Sequence, residues 1–390
     1  MNHFFTLPRK DVACNDHPRR DVACNVRAAL QQFLARILQE SLVNAVLVPA
    51  RSEASPVVMQ TLVKDPNDLC HADPLAPVAW TNGGTLLSTI THNSTGTPIA
   101  AVLRSCEVRA FVERVKLNQG SRDGVLLVSA DCLGRFENSD YLSLANRLGS
   151  VSDAFLDHSA WGAPFHGLSI ARACQACEQP IASCVDIQVC LLGQDTGADV
   201  VLCGVSEAGR RVLSSLGLSR AEEPPSRQSA VARLISKRKQ YRDELFAAHR
   251  AETGSIEGLV RATAACINCY NCRVACPVCY CRSCVFTTDL YRHDCANYLA
   301  WANQRGSLRV PTDTLMYHLT RMVHISTMCV GCGQCSSACP NGVPVMELFC
   351  STGSVTQARF GYVPGRSFDE PQPMATFHED ELHDVAGHKV

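Results

Sequence analysis

The sequence predicts an α/β domain followed by a mostly helical, cysteine-rich domain. Two observations carry this expectation. Short apolar runs at 43–49, 99–103, 125–129 and 198–203 alternate with segments of helical period such as 108–117, the rhythm of strands joined by helices. The 23 cysteines are also unevenly placed: seven lie within 106–203, none within 204–265, eight within 266–295 and five within 329–350. Two metal-bearing regions separated by a cysteine-free connector follow from that spacing.

Taken in order, residues 1–39 read as a partly disordered N-terminal tail. Its two echoes, at 11–15 and 21–25, carry Cys14 and Cys24 as incidental thiols. Residues 40–224 form the α/β domain. Residues 225–255 follow Pro224-Pro225 and are polar and helix-favouring, so they read as a linking helix whose basic run Lys237-Arg238-Lys239 is a solvated face. Residues 256–350 form the second domain, where Leu315, Leu319, Met322 and Val323 recur at helical spacing. Residues 351–390, rich in Pro, Gly and acidic residues, are a C-terminal tail draped over a surface or a partner.

Charge and hydropathy narrow the function classes. With 36 basic against 37 acidic residues, the chain offers no electrostatic case for nucleic acid or an anionic membrane. No apolar run approaches the roughly 18 residues of a membrane span. The N-terminus has no signal-peptide core, so a cytoplasmic location with reduced thiols is expected, and clustered cysteines then point to metal rather than disulfides.

The strongest motif occurs twice. Cys266, Cys269, Cys272 and Cys276-Pro277 fit C-x2-C-x2-C-x3-C-P, and Cys329, Cys332, Cys335 and Cys339-Pro340 fit it again. Three thiolates spaced three residues apart can wrap three irons of a cubane, while the remote fourth turns toward the other cluster. The expected ligand sets are therefore crossed: Cys266, Cys269, Cys272 and Cys339 for one [4Fe-4S] cluster, and Cys329, Cys332, Cys335 and Cys276 for a second. Paired zinc ribbons also use C-x2-C, but zinc needs only four ligands and explains neither the third regular cysteine nor the trailing Cys-Pro. The long helical gap between the motifs resembles the α-helical ferredoxin modules of fumarate-reductase and heterodisulfide-reductase type subunits. Within it, Cys279, Cys281, Cys284 and Cys295 match no defensible ligand spacing, and they read as packing or redox-accessible thiols.

A lone Cys174-x2-Cys177 is a weak signal, open to a redox disulfide or half a zinc site. Its company raises it: Cys106 and Cys132 each follow an apolar strand directly, and in a parallel sheet such positions gather at the carboxyl edge where α/β folds place cofactors. At these residues the chain resembles the beta subunits of deazaflavin (coenzyme F-420)-reducing hydrogenases and formate dehydrogenases, over most of residues 40–350. The resemblance implies an α/β flavin and iron–sulfur domain plus a mostly helical dicluster ferredoxin-like domain. It makes Cys106, Cys132, Cys174 and Cys177 the four ligands of a third [4Fe-4S] cluster. Residues 81–87 are similar to the family's Ser-Gly-Gly turn beside the flavin, with Asn82 in place of serine, which implies FAD contacts at Asn82, Gly83, Gly84 and Thr85. Two glycines there would let backbone N–H groups at a helix start face a phosphate or the flavin ring.

The function so implied is an iron–sulfur flavoprotein beta subunit of a multisubunit oxidoreductase. A catalytic dehydrogenase or hydrogenase subunit supplies single electrons, which pass through the clusters to FAD and leave as hydride on a soluble acceptor. The alternative is a non-catalytic wiring subunit that connects a dehydrogenase to heterodisulfide-reductase-like subunits. No nucleophile elbow, phosphate loop or HExxH motif suggests self-contained catalysis. His92, His158, His166, His293, His318 and His324 are dispersed and read as polar surface or core residues.

Overall fold

The computed structural model describes residues 3–8, 22–52, 55–93, 96–148, 150–156, 164–194, 199–281, 283–288, 294–306 and 313–374, with side chains from residue 26 in the first helix. Its strands are β1 (His3–Leu7), β2 (Ala45–Ser52), β3 (Ser55–Val63), β4 (Ile99–Val102), β5 (Val125–Ala130), β6 (Ile187–Cys190), β7 (Val200–Gly204) and β8 (Ser219–Ala221). They form one mixed sheet in the order β3-β2-β4-β5-β6-β7-β1-β8. The centre, β2-β4-β5-β6, is parallel, and both flanks are antiparallel.

The helices of this part are α1 (Val22–Gln39), α2 (Gly83–Thr91), α3 (Ser105–Lys116), α4 (Asn138–Leu148), α5 (Val151–Leu156), α6 (Arg172–Gln175) and α7 (Glu207–Ser215). The central strands read as unbroken apolar runs because both sheet faces are covered. Val46, Val48, Ala100, Val102, Leu126 and Val128 face Phe33, Leu34 and Ile37 of α1. Their alternates Leu47, Ala101 and Leu127 face Leu87 of α2 and Val108, Phe111 and Val112 of α3.

The N-terminal segment departs from the expected tail. Strand β1 pairs antiparallel with both β7 and β8, burying Phe5 and Leu7, and α1 supplies seven of the 25 buried core residues on its face of the sheet. Cys14 lies outside the described residues, and Cys24 falls in α1 where no side chain is described.

Helix α8 (Arg227–Thr253) runs 27 residues where the linking helix is expected. It is fastened to the α/β part rather than free of it. Arg227 is buried in an ion pair with Asp131, donating from Nη2 at 2.8 Å, and Asp131 also accepts from the backbone N–H groups of Leu191 and Leu192. Eleven residues on, Arg238 donates to the carbonyls of Cys132 and Leu133. Lys237 and Lys239 are exposed as the solvated-face reading expects, but Arg238 between them is buried.

The remaining helices are α9 (Ile256–Thr263), α10 (Asn271–Ala275), α11 (Cys295–Arg305), α12 (Thr314–Ile325), α13 (Gln334–Ser337) and α14 (Val345–Arg359). Apart from α11, whose described side chains are exposed or half-buried, they pack around Cys272, Phe286, Tyr317, Ile325, Leu348 and Phe349. Beyond α14 the chain returns to α3. The buried carboxylate of Glu113 accepts from the Tyr362 hydroxyl at 2.6 Å, the Gly365 N–H at 2.8 Å and the Gln372 amide at 2.7 Å. The C-terminal segment thus drapes over this chain's own helix. Among the described residues no helix is long and apolar enough to cross a membrane.

Candidate functional site

The two ferredoxin motifs adopt the same backbone. In the first, Asn268 and Tyr270 have φ of 52° and 61°; in the second, Gly331 and Gly333 have φ of 68° and 72°. Left-handed residues at the third and fifth positions of each motif reverse the chain between successive cysteines, and such alternation turns backbone N–H groups into an anion-binding concavity. Glycine adopts this conformation freely, whereas tyrosine does so at a cost. Contacts hold the first motif in place: the Tyr270 ring stands edge-on to Tyr317 at 5.0 Å, and Asn268 accepts from the Thr314 hydroxyl at 2.9 Å.

The helices α10 and α13 bring the cysteines together in the crossed arrangement. Burial raises the pKa of Cys266, an effect offset by the Asn268 backbone N–H and reinforced by the negative potential of Cys272, Cys339 and Cys269. Cys276 is pushed up to about 12, first by burial, then, against the opposing charge of Arg321, by Cys332 and Cys329. Cys335 rises well above the thiol range through burial and the pressure of Cys276, Cys332 and Cys329. Each remote cysteine therefore sits with the other motif's triplet. Thiols this crowded and buried keep their protons until cationic metal replaces them, which suits an iron–sulfur cluster.

The first set has polar support from α12. Arg321 donates to the Cys272 sulfur at 3.0 Å, the Tyr317 hydroxyl lies 3.3 Å from the same sulfur, and His318 Nε2 lies 3.4 Å from Cys266. Beside the second set, the Cys350 thiol lies 3.8 Å from Cys329 and draws its pKa down to about 7.

The third set also converges. Cys106 sits in the first turn of α3 after β4, Cys132 follows β5, and Cys174 and Cys177 come from α6 and the turn after it; all four line one enclosed chamber. Burial raises Cys106 far above its ordinary value, followed by Glu107 and then by Cys332, Cys132 and Cys174. Cys132 is raised to about 11 by burial and Cys174. Cys332, a member of the second set, lines the same chamber. Arg104, Arg135 and Arg238 are also in its wall.

The Gly-Gly turn has another job than the one expected. Asn82 caps α2 by accepting from the N–H groups of Gly84 at 3.0 Å and Thr85 at 3.3 Å, and Gly83 N–H donates to the Glu107 carboxylate at 3.0 Å. The donors expected to meet FAD are thus consumed inside the fold. The glycines serve packing: a Cβ on Gly84 would stand 2.1 Å from the Glu107 carbonyl oxygen, and one on Gly83 would meet Leu103 at 2.6 Å. Carboxylate Glu107 occupies the place where an anion would otherwise bind.

Comparison with known proteins supports the metal chemistry. Residues 322–345 match the 4Fe-4S binding domain family. Over 362 residues, 84% of this chain and 89% of the relative, the sequence is 25% identical to the F420-dependent formate dehydrogenase subunit beta of Methanocaldococcus jannaschii. Over 369 residues, 87% of this chain and 90% of the relative, it is 25% identical to the F420-dependent formate dehydrogenase 1 subunit beta of Methanococcus maripaludis. Over most of its length the chain is therefore similar to F420-dependent formate dehydrogenase beta subunits. Among solved structures, a chain of the F420-reducing [NiFe] hydrogenase complex from Methanosarcina barkeri superposes with a TM-score of 0.46 at 13% identity, covering 58% of this chain and 86% of that one.

Several cysteines of this chain stay outside the three sets. Cys279, Cys281 and Cys284 line a small apolar cavity with His324, whose Nδ1 is 4.0 Å from Cys281. Cys295 is exposed at the start of α11. Among the described residues no three His, Cys, Asp or Glu side chains are grouped to hold a single metal ion. Cys190 and Cys203 are buried in adjacent strands, and Cys184 donates to the Arg366 carbonyl. Of the histidines, His92 and His166 are exposed, His318 is buried against Cys266, and His158 and His293 lie outside the described residues. The sequence reading places Arg238 on a solvated face and gives Arg321 and Cys350 no role; only the 11-residue spacing from Arg227 to Arg238 hints at the buried position of the first.

Proposed function

We propose that this chain is the iron–sulfur flavoprotein beta subunit of a multisubunit oxidoreductase of formate dehydrogenase or hydrogenase type. The observation that carries the proposal is Cys332, which belongs to the second cysteine set and also lines the chamber of the third. Three [4Fe-4S] clusters in these sets would form a continuous line: Cys266, Cys269, Cys272 and Cys339, then Cys329, Cys332, Cys335 and Cys276, then Cys106, Cys132, Cys174 and Cys177. One end reaches the surface. Cys269 is exposed between the exposed side chains of Ile267 and Val274, a suitable contact for a catalytic subunit that supplies electrons.

A cleft of about 610 Å³ lies between Cys177 and the Cys329–Cys350 pair, and Arg109, Arg242, Arg250, Phe246 and Tyr362 contribute to its walls. Its size is within the range of small-molecule sites, and its aromatic and cationic walls suit a flavin dinucleotide better than the closed turn at Asn82. Flavin supplies the conversion of single electrons into hydride for a soluble acceptor. The chain's own share is position: Arg109 is held by the carbonyls of Pro364 at 2.8 Å and Val330 at 3.1 Å, and α8 carries Arg242, Phe246 and Arg250 on the facing wall.

Anaerobic reconstitution followed by metal and flavin analysis tests this reading. About twelve irons per chain, three cubanes of four, with one released flavin are expected. Three clusters without flavin would leave the chain as a wiring subunit between a dehydrogenase and a heterodisulfide-reductase-like complex.

A further inference from the structure

Two buried donor groups in the wall of the third chamber, the Asn82 Nδ2 amide and the Ser105 hydroxyl, have no partner within the protein. Asn82 is 3% exposed; its Oδ1 is committed to the α2 cap, which fixes the amide orientation, and its Nδ2 meets no acceptor. Ser105 is 1% exposed at the start of α3, and its hydroxyl is equally unpartnered. Buried donors in native proteins are almost always satisfied. Both residues line the chamber of Cys106, Cys132, Cys174 and Cys177. The guanidinium groups there are otherwise occupied: Arg238 and Arg104 donate to main-chain carbonyls, and Arg135 donates to the Phe136 carbonyl and the Ser337 hydroxyl. Neither donor reaches an acceptor of the wall itself, so the sulfides of a bound iron–sulfur cluster would bring the one they meet.

We infer that Asn82 and Ser105 are positioning residues that donate hydrogen bonds to sulfur in this chamber and so raise the reduction potential of its cluster. This rests on the reading of the chamber as a third [4Fe-4S] site. Hydrogen bonds to sulfur stabilise the more negative, reduced cluster more than the oxidised one, so the potential rises with each donor. The step concerned is a one-electron transfer from the set containing Cys332; no bond is made or broken and no proton moves. Raising the potential at the chamber draws the electron inward along the line. The substitution of asparagine where the related turn carries serine thereby gains a role: the longer amide caps α2 with its oxygen and keeps N–H groups for the chamber.

The test is a redox titration of the full, anaerobically reconstituted chain, followed by electron paramagnetic resonance. Cys174→Ser first identifies the signal that belongs to the chamber. Asn82→Ser keeps a capping oxygen and deletes the amide N–H groups; Ser105→Ala deletes the hydroxyl alone. Each is expected to move the chamber's midpoint to a more negative potential at unchanged iron content, the double variant further than either, with the other two midpoints unmoved. An unchanged chamber midpoint in Ser105→Ala, together with either an unchanged midpoint or failed folding in Asn82→Ser, overturns the inference. Iron content and all signals unchanged in Cys174→Ser would instead remove the third cluster itself, a different failure from the first.

Discussion

The guanidinium of Arg321 donates to the sulfur of Cys272 at 3.0 Å while its Cζ lies over the ring of Phe349, 4.6 Å from the centroid. A buried cation is thereby held against the first cysteine set by an aromatic shelf; burial works to lower its pKa, and the charges of Cys272 and Cys276 overcome that and raise it above the ordinary arginine value. Arg321→Met keeps the packing volume and removes the charge. A hydrogen bond to a charged group contributes about 1.5–3 kcal/mol, and only the part that differs between the oxidised and reduced cluster moves the potential, so the potential of the first cluster should fall by at most on the order of 130 mV at 59 mV per tenfold. Arg321→Lys should recover part of the shift, because it keeps the charge but loses the planar guanidinium. Potentiometric titration checks both, and equal potentials in parent and Met variant would contradict the assignment.

Gly84 decides what the α2 turn is for. A methyl group there meets the Glu107 carbonyl at 2.1 Å and the Phe111 N–H at 3.0 Å, both backbone atoms of α3 that cannot swing aside. Overpacking of this kind costs about 1–3 kcal/mol and more where backbone must move, so Gly84→Ala should lower the melting temperature by several degrees. Flavin bound per folded chain should stay at the parental value. Loss of flavin from a fully stable variant would return the turn to the cofactor.

How much of this was legible in the sequence differs by element. Strands β2, β4, β5 and β7 stand out as apolar runs because the sheet is covered on both faces, and the crossed cysteine sets follow from spacing alone. Strand β1 is invisible locally: its partners β7 and β8 lie about 200 residues away, so only tertiary pairing turns a short polar-flanked segment into sheet. Arg238 is hidden for another reason. Charge counting sees three consecutive cations, while the helical turn sends the middle one to the carbonyls of Cys132 and Leu133. At Gly83 and Gly84 the same sequence serves either a ligand or a neighbouring helix, and only the position of Glu107 distinguishes them.

The Arg227–Asp131 pair anchors the start of α8 one residue before Cys132. Asp131 is fully buried and also accepts from Gln188 at 2.9 Å and from two backbone N–H groups. Removing one member of a buried pair costs about 3–5 kcal/mol because the other charge stays behind. Arg227→Met should lose stability of that order in urea unfolding and should release iron from the third chamber sooner than from the other two, since Arg238 on the same helix steadies the carbonyls of Cys132 and Leu133. Asp131→Asn in the Met background should recover part of the loss, as it removes the orphaned charge.

His249 on α8 is buried, with no partner for Nε2. Burial lowers its pKa below the ordinary 6.5, an effect opposed by Glu347 and Glu252 and aided by Arg172 and Arg250. The folded protein therefore keeps the ring neutral at a pH where the unfolded chain has already taken a proton. Between about pH 6.5 and the depressed native value the unfolded state binds more protons, so stability rises with pH across that window and falls as it is acidified. Below the native value the loss levels off. Denaturant midpoints from pH 7.5 down to 5 should fall less steeply for His249→Gln than for the parent, and the difference between the two curves isolates this residue from the acid lability of the clusters. Parallel curves would mean that His249 binds its proton equally in both states.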